Sequence, residues 1–151
     1  DIISLEPHSR RIDEGGIVAS CAATRRLIAR ENARGIPVDR IFLAGFSQGG
    51  AVAYSTALTY PEALAGVIAL STYIPSPALL AREASAANRA IPILAAHGTQ
   101  DDVVSPALGR AARDFLTQHG YAVEWHEYPM PHSLCIEEVR LIGHWLRARL
   151  A

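Results

Sequence analysis

The 151 residues are half hydrophobic and only 19% charged, with a net charge of −1. That balance excludes a disordered chain, and it leaves no basic field to hold nucleic acid and no acidic tail. The length suffices to bury a real core in one domain, no apolar run is long enough to span a bilayer, and no signal peptide is visible, so a cytoplasmic location is expected.

Residues 1–12 read as irregular. From Asp13 to about Arg34 the spacing of Ile17, Cys21, Thr24 and Ile28 predicts a helix, stopped by Gly35 and Pro37. Arg25, Arg26, Arg30 and Arg34 on that helix read as a solvated face. Arg40 to Phe46 reads as a short buried strand, followed by a helix of small residues that ends near Tyr60, ahead of Pro61. Ala65 to Ser71 is a second buried strand, Thr72 to Pro77 a loop with two prolines, and Ala78 to about Asn88 a short helix. Ile91 to His97 is a third strand, with Pro92 near its start, where it is tolerated. Ser105-Pro106 reads as an N-cap and a first-turn proline. Leu108, Ala111, Ala112, Phe115 and Leu116 form the apolar face of the helix that follows, and Gly120 ends it. Tyr121 to Tyr128 alternates as a fourth strand, residues 129–132 form a loop, and Ser133 to Leu150 a last helix with Val139, Ile142, Trp145 and Leu146 inward.

Strands alternate with helices throughout, which predicts an α/β fold: a parallel sheet covered by helices on both faces. Right-handed crossovers place the loops after the strands along one edge, where sites of open α/β sheets lie. No repeat or linker divides the chain, so residues 1–151 read as a single domain. All 14 basic residues are arginine, which with abundant alanine points to a GC-rich bacterial genome. Cys21 and Cys135 have no metal or redox spacing, and Cys21 reads as a buried small hydrophobe.

Gly45-Phe46-Ser47-Gln48-Gly49 matches G-x-S-x-G, with a predicted strand before it and a predicted helix after it. In that context the serine sits on a tight, strained turn that pushes Oγ out of the sheet, and the residues two positions away must be nearly free of side chain. The helix start beside it offers free N–H groups where an oxyanion would form, the Gln48 N–H among them.

A nucleophilic serine needs a base, and the base needs an orienting carboxylate, in the chain order Ser, Asp or Glu, His for this type of turn. His97-Gly98-Thr99-Gln100-Asp101-Asp102 follows the third strand and Pro129-Met130-Pro131-His132 the fourth, both on the edge that carries Ser47. Asp101 and His132 are therefore the candidate orienter and base. Other readings stand beside them: Asp102 suits a helix cap, His132 a helix start, and His97 a hydrogen bond that supports the Asp101 loop. A zinc site from His126, His132 and Asp101 matches no standard ligand spacing. His8, His119, His126 and His144 read as surface or ordinary packing.

At these residues the chain resembles the phospholipase/carboxylesterase family of α/β hydrolases, which includes bacterial carboxylesterases and acyl-protein thioesterases. The resemblance runs through Gly45-Phe46-Ser47-Gln48-Gly49-Gly50, Leu70-Ser71-Thr72-Tyr73-Ile74-Pro75, His97-Gly98-Thr99-Gln100-Asp101-Asp102-Val103-Val104 and Tyr128-Pro129-Met130-Pro131-His132. It implies Ser47 as nucleophile, Asp101 as acid and His132 as base. The Ser-Thr-Tyr and Gln-Asp-Asp-Val-Val stretches fit the carboxylesterase branch better. Pro131 stands where the family usually has glycine, and is expected to stiffen the histidine loop. By the same resemblance the family's first strands, and the loop with the second oxyanion N–H, come before Asp1.

The resulting expectation is a serine carboxylesterase for small apolar acyl esters, with no cofactor and no metal. Gln48 is one oxyanion donor, and Tyr73 and Ile74 in the Thr72–Pro77 loop are the substrate contacts. The alternatives are a lysophospholipase or acyl-protein thioesterase and, from another class, a non-catalytic remnant serving binding or assembly. The first strand lacks proline and inward charge, so its outer side is expected to be an exposed apolar edge through which the chain forms a homo-oligomer.

Overall fold

The structure, a computed structural model, describes residues 14–151. The expectations for residues 1–12, His8 among them, lie outside the described residues. Helix α1 (Glu14–Ala33) leads to β1 (Phe42–Phe46), α2 (Gln48–Leu58), β2 (Gly66–Leu70), α3 (Pro77–Glu83), β3 (Ile93–Gly98), α4 (Pro106–Gln118), β4 (Val123–Tyr128) and α5 (Ile136–Leu150). The described strands form one parallel sheet in the order β1-β2-β3-β4.

Burial on both faces explains the continuous apolar runs of β2 and β3, in which every residue is buried. Val67, Ala69 and Ile93 pack on one face with Ile28, Tyr54, Leu58 and Leu116 of α1, α2 and α4. Ile68, Leu70, Leu94 and Ala96 pack on the other with Trp145 of α5. Leu58 and Leu94 are fully buried, and each contributes about 1.5–3 kcal/mol of transfer free energy. The register pairs Phe46 with Leu70, Leu70 with Ala96, and Gly98 with Tyr128, so the loops after β1, β2, β3 and β4 leave the sheet together.

The elements follow the sequence reading with local differences that have physical causes. The helix predicted over residues 78–88 stops at Glu83. Ser85 Oγ then accepts the Ala87 N–H and starts a separate 3-10 turn, Ala86–Asn88. That turn delivers Asn88 into the interior, where Oδ1 accepts from the Leu64 N–H at 2.9 Å and Nδ2 donates to the carbonyls of Tyr60 and Glu62. Along α1, Ile17 and Ile28 are buried, whereas Cys21 is only half-buried. Arg25 leaves the solvated set, because its guanidinium donates to Thr59 Oγ1 at 2.7 Å and to the Thr59 carbonyl at 3.2 Å.

The last helix starts at Ile136 and turns inward the predicted Ile142, Trp145 and Leu146, but Glu138 in place of Val139. Glu138 and Trp145 are buried, Leu141, Ile142 and Leu146 are half-buried beside them, and Val139 is 49% exposed. A carboxyl in the inward stripe is invisible to a reading that ranks positions by hydropathy. Burial pushes the Glu138 pKa up. The Cys135 backbone N–H opposes that rise, but no hydrogen bond of full geometry reaches either carboxyl oxygen.

Candidate active site

Ser47 lies between the end of β1 and the start of α2, with φ 56° and ψ −124°. A non-glycine residue there is strained by about 1–3 kcal/mol and persists only where its surroundings hold it. Hydrogen bonds to its backbone do so. The Ser47 N–H donates to the Leu70 carbonyl at 2.9 Å, which continues the β1–β2 ladder by one residue. Thr72 Oγ1 donates to the Ser47 carbonyl at 2.6 Å, and the Gly50 N–H donates to the same oxygen at 3.0 Å. Thr72 is a positional contribution that the sequence reading placed only within a loop. The next strand ends the same way, since Ser71, after β2, is fully buried with φ 48°.

The glycine requirement falls partly elsewhere than expected. A Cβ on Gly45 would strike the backbone of Gly49 and Gly50, so strand end and helix start can touch only without it. A Cβ on Gly50 would stand 2.6 Å from Thr72 Cβ. Gly49 is exposed and a Cβ there would meet nothing within 4 Å. Close approach therefore demands glycine at 45 and 50, and not at 49.

His132 and Asp101 come from the loops after β4 and β3. His132 Nδ1 lies 2.7 Å from Asp101 Oδ2, and the Asp101 side chain is fully buried. The other carboxylate oxygen accepts the N–H groups of Val103 at 2.9 Å and Val104 at 2.8 Å. A carboxylate with both oxygens occupied holds one rotamer, and the imidazole is oriented by it. The two loops are also tied by backbone. Thr99 N–H donates to the Tyr128 carbonyl at 2.8 Å and Gln100 N–H to the Met130 carbonyl at 3.1 Å. Gly98 makes that approach possible, since a Cβ there would lie 2.5 Å from the Pro131 carbonyl oxygen and closer still to that of Met130.

The His132 ring packs on Phe46, the residue before Ser47, with centroids 4.6 Å apart, which brings His132 to the Ser47 end of β1. The Gln48 N–H opens α2 at the same place, where no earlier turn of helix supplies an acceptor. Such a constellation can hold a neutral imidazole with Nδ1–H on the carboxylate and a bare Nε2 to accept a proton. Asp102, one residue further on, is exposed.

The other candidates separate from this cluster. His126 faces Glu124 Oε1 at 3.1 Å on β4, and among the described residues no three His, Cys, Asp or Glu side chains gather as metal ligands would. Tyr73 and Ile74 are buried rather than open: Tyr73 packs with Ile17, Ala51 and Val104, and Ile74 joins the main core. A groove of about 350 Å³ opens between α1, α2 and α3, with Ile17, Cys21, Pro75 and Leu79 in its walls. On α2 and the residue that caps its end it is lined by Ser55 and Thr59. Eight residues of helix separate Ser55 from Ser47, about 12 Å along the axis, so the groove lies away from the serine hydroxyl.

A parallel sheet with helices on both faces and a strained serine at the first strand-to-helix turn is the α/β-hydrolase fold. The solved structures agree. Arabidopsis thaliana SOBER1 superposes with a TM-score of 0.88 at 32% identity over 94% of this chain and 68% of that one. Zea mays acyl-protein thioesterase 2 does so with a TM-score of 0.83 at 29% identity over 100% and 71%. The phospholipase/carboxylesterase family model matches residues 1–150, and the chain belongs to that family. Among curated proteins it is 43% identical to acyl-protein thioesterase 1 of Neurospora crassa over 97% of this chain. It is 33% identical to the carboxylesterase SOBER1 of Arabidopsis thaliana over 92%. The chain spans 61% of the length of each of these two relatives. No helix among the described residues is long and apolar enough to cross a membrane.

Proposed function

We propose that this chain carries the chemistry of a serine hydrolase that cleaves carboxylic esters of small apolar acyl groups through an acyl-enzyme. The observation that carries the reading is the 2.7 Å His132–Asp101 contact beside a serine held at positive φ. Ser47 Oγ attacks the ester carbonyl carbon, and its proton passes to His132 Nε2. Asp101 holds the imidazole tautomer and stabilises the imidazolium. The tetrahedral oxyanion takes the Gln48 N–H. Its collapse expels the alcohol, which leaves with the proton from His132. Water, deprotonated by the same base, then releases the acid and restores Ser47. No metal or cofactor enters these steps.

A second reading, an acyl-protein thioesterase, is favoured by the 43% identity to a protein of that name. Both readings use the same residues and differ in the leaving group. A fluorophosphonate probe tests what they share: labelling at Ser47, abolished by Ser47→Ala, supports a hydrolase, and silence in a folded chain refutes it. Rates on an oxygen ester and a thioester of the same short acyl group then separate the two.

The same proposal takes the protein as cytoplasmic and bacterial, on the composition of the chain, although the curated relatives named above are a fungal and a plant protein. It also takes the chain as self-associating. Among the described residues β1 pairs only with β2, and its other side carries no blunting proline or charge. Size-exclusion chromatography with light scattering tests this, and a stable monomer of the 151-residue chain refutes it.

A further inference from the structure

His97 is the last side chain before the Gly98 turn, and it is 1% exposed. Its Nε2 lies 2.8 Å from the Val104 carbonyl oxygen. A carbonyl can only accept, so Nε2 carries a proton. The same nitrogen lies 3.4 Å from Asp101 Oδ2, the oxygen that meets His132. Val104 is held from both ends, because its N–H donates to Asp101 Oδ1 while its carbonyl accepts from His97. The turn from Asp101 to Val104 is thus closed by its own carboxylate and pinned from below by a buried imidazole.

The ring is fixed in its turn by α4. It lies against Trp125, with centroids 6.3 Å apart and planes 30° from parallel. On the α4 side is Gly109, which is buried. A Cβ on Gly109 would stand 3.0 Å from His97 Cε1 and 3.0 Å from Trp125 Cη2, and closer still to His97 Nδ1. Nδ1 is buried and has no hydrogen-bond partner among the described residues. One nitrogen is therefore used and the other is backed onto a bare glycine, an arrangement that leaves the ring a single position.

We propose that His97 is a positioning residue, seated by Gly109, which sets the Asp101 carboxylate in register with His132. This rests on the reading of Ser47, His132 and Asp101 given above. It adds that α4, which touches none of those three side chains through Gly109, governs their alignment through one imidazole. A small displacement of an orienting group affects turnover more than binding, and a misplacement of about 1 Å can cost on the order of 10²-fold.

The test uses the 151-residue chain with His97→Leu, His97→Gln and Gly109→Ala. The Gln side chain reaches about as far as Nε2 and carries an N–H for Val104, whereas Leu fills the space without a donor. For variants whose far-UV circular dichroism shows them folded, kcat and KM are measured on a short-chain ester. The downfield proton resonance of His132 Nδ1–H is recorded as well. His97→Leu and Gly109→Ala should lower kcat by about 10²-fold with KM little changed. Both should shift or broaden the His132 resonance, and His97→Gln should recover much of each signal. An unchanged resonance and kcat in folded His97→Leu overturns the proposal, as does failure of His97→Gln to improve on it. If the wild-type chain is inactive and unlabelled by fluorophosphonate, the hydrolase reading fails. The resonance then still decides whether His97 aligns Asp101 with His132. If Gly109→Ala does not fold, His97→Leu against His97→Gln decides alone.

Discussion

His132 Nδ1 stands 2.7 Å from the buried carboxylate of Asp101, while the neighbouring Asp102 is exposed. The distinction predicts unequal substitutions. Asp101→Asn would present an amide to the imidazole and favour the wrong tautomer, costing about four orders of magnitude in ester hydrolysis. Asp102→Asn should change the rate little. Steady-state rates on one ester decide, and a larger loss at Asp102 would overturn the assignment of Asp101.

His132→Ala removes the group proposed to take the serine proton and should abolish most ester hydrolysis without unfolding the chain. Hydrolysis retained in a folded His132→Ala chain would remove the histidine base from the mechanism. Chelator should leave the rate unchanged, and loss restored by zinc would reverse that expectation.

The strain at Ser47 is readable as stability. Ser47→Ala and Ser47→Gly both delete the hydroxyl and should both abolish hydrolysis, but only glycine relieves a φ of 56°. The Gly variant should be more stable than the Ala variant by about 1 kcal/mol, the relief being partly offset by the greater chain entropy of glycine. Urea denaturation of the two measures it, and equal midpoints would show the turn to be unstrained.

The glycines around the serine should not be equivalent. Gly49→Ala meets open space on a helix and should be neutral or stabilising by up to about 1 kcal/mol. Gly45→Ala places a methyl against backbone that cannot give way and should destabilise strongly or prevent folding. Thermal melts of both variants check the contrast.

Glu138 makes a prediction in pH. Its folded pKa is raised above the ordinary carboxylate value, so the folded state holds the proton more tightly than the unfolded chain. The stability it allows is present at low pH. It declines as pH rises through the unfolded value toward the folded one. Glu138→Gln removes that penalty, so the variant should gain on the parent as pH increases from about 4 to 7. Denaturation midpoints at both ends of the range measure the gain, and a difference independent of pH would mean that Glu138 does not titrate on folding.

Much of this protein is determined by local sequence. Two buried runs, 65–71 and 91–97, require a sheet covered on both faces, because only that environment removes both sides of a strand from water. Parallel strands then put every following loop on one edge, so Ser47, Asp101 and His132 could be grouped from chain order alone. What chain order lacks is the third dimension. Glu138 is absent from the inward stripe predicted for the last helix, and only packing buries it while Val139 stays exposed. Asn88 reads as a helix end, and only the path of residues 60–64 overhead makes it a buried bridge. Gly109 carries no signal in the sequence, and only packing shows His97 filling the space its side chain would take. Periodicity reports which residues leave water. Which of them touch is decided by packing, where a single Cβ has room or has none.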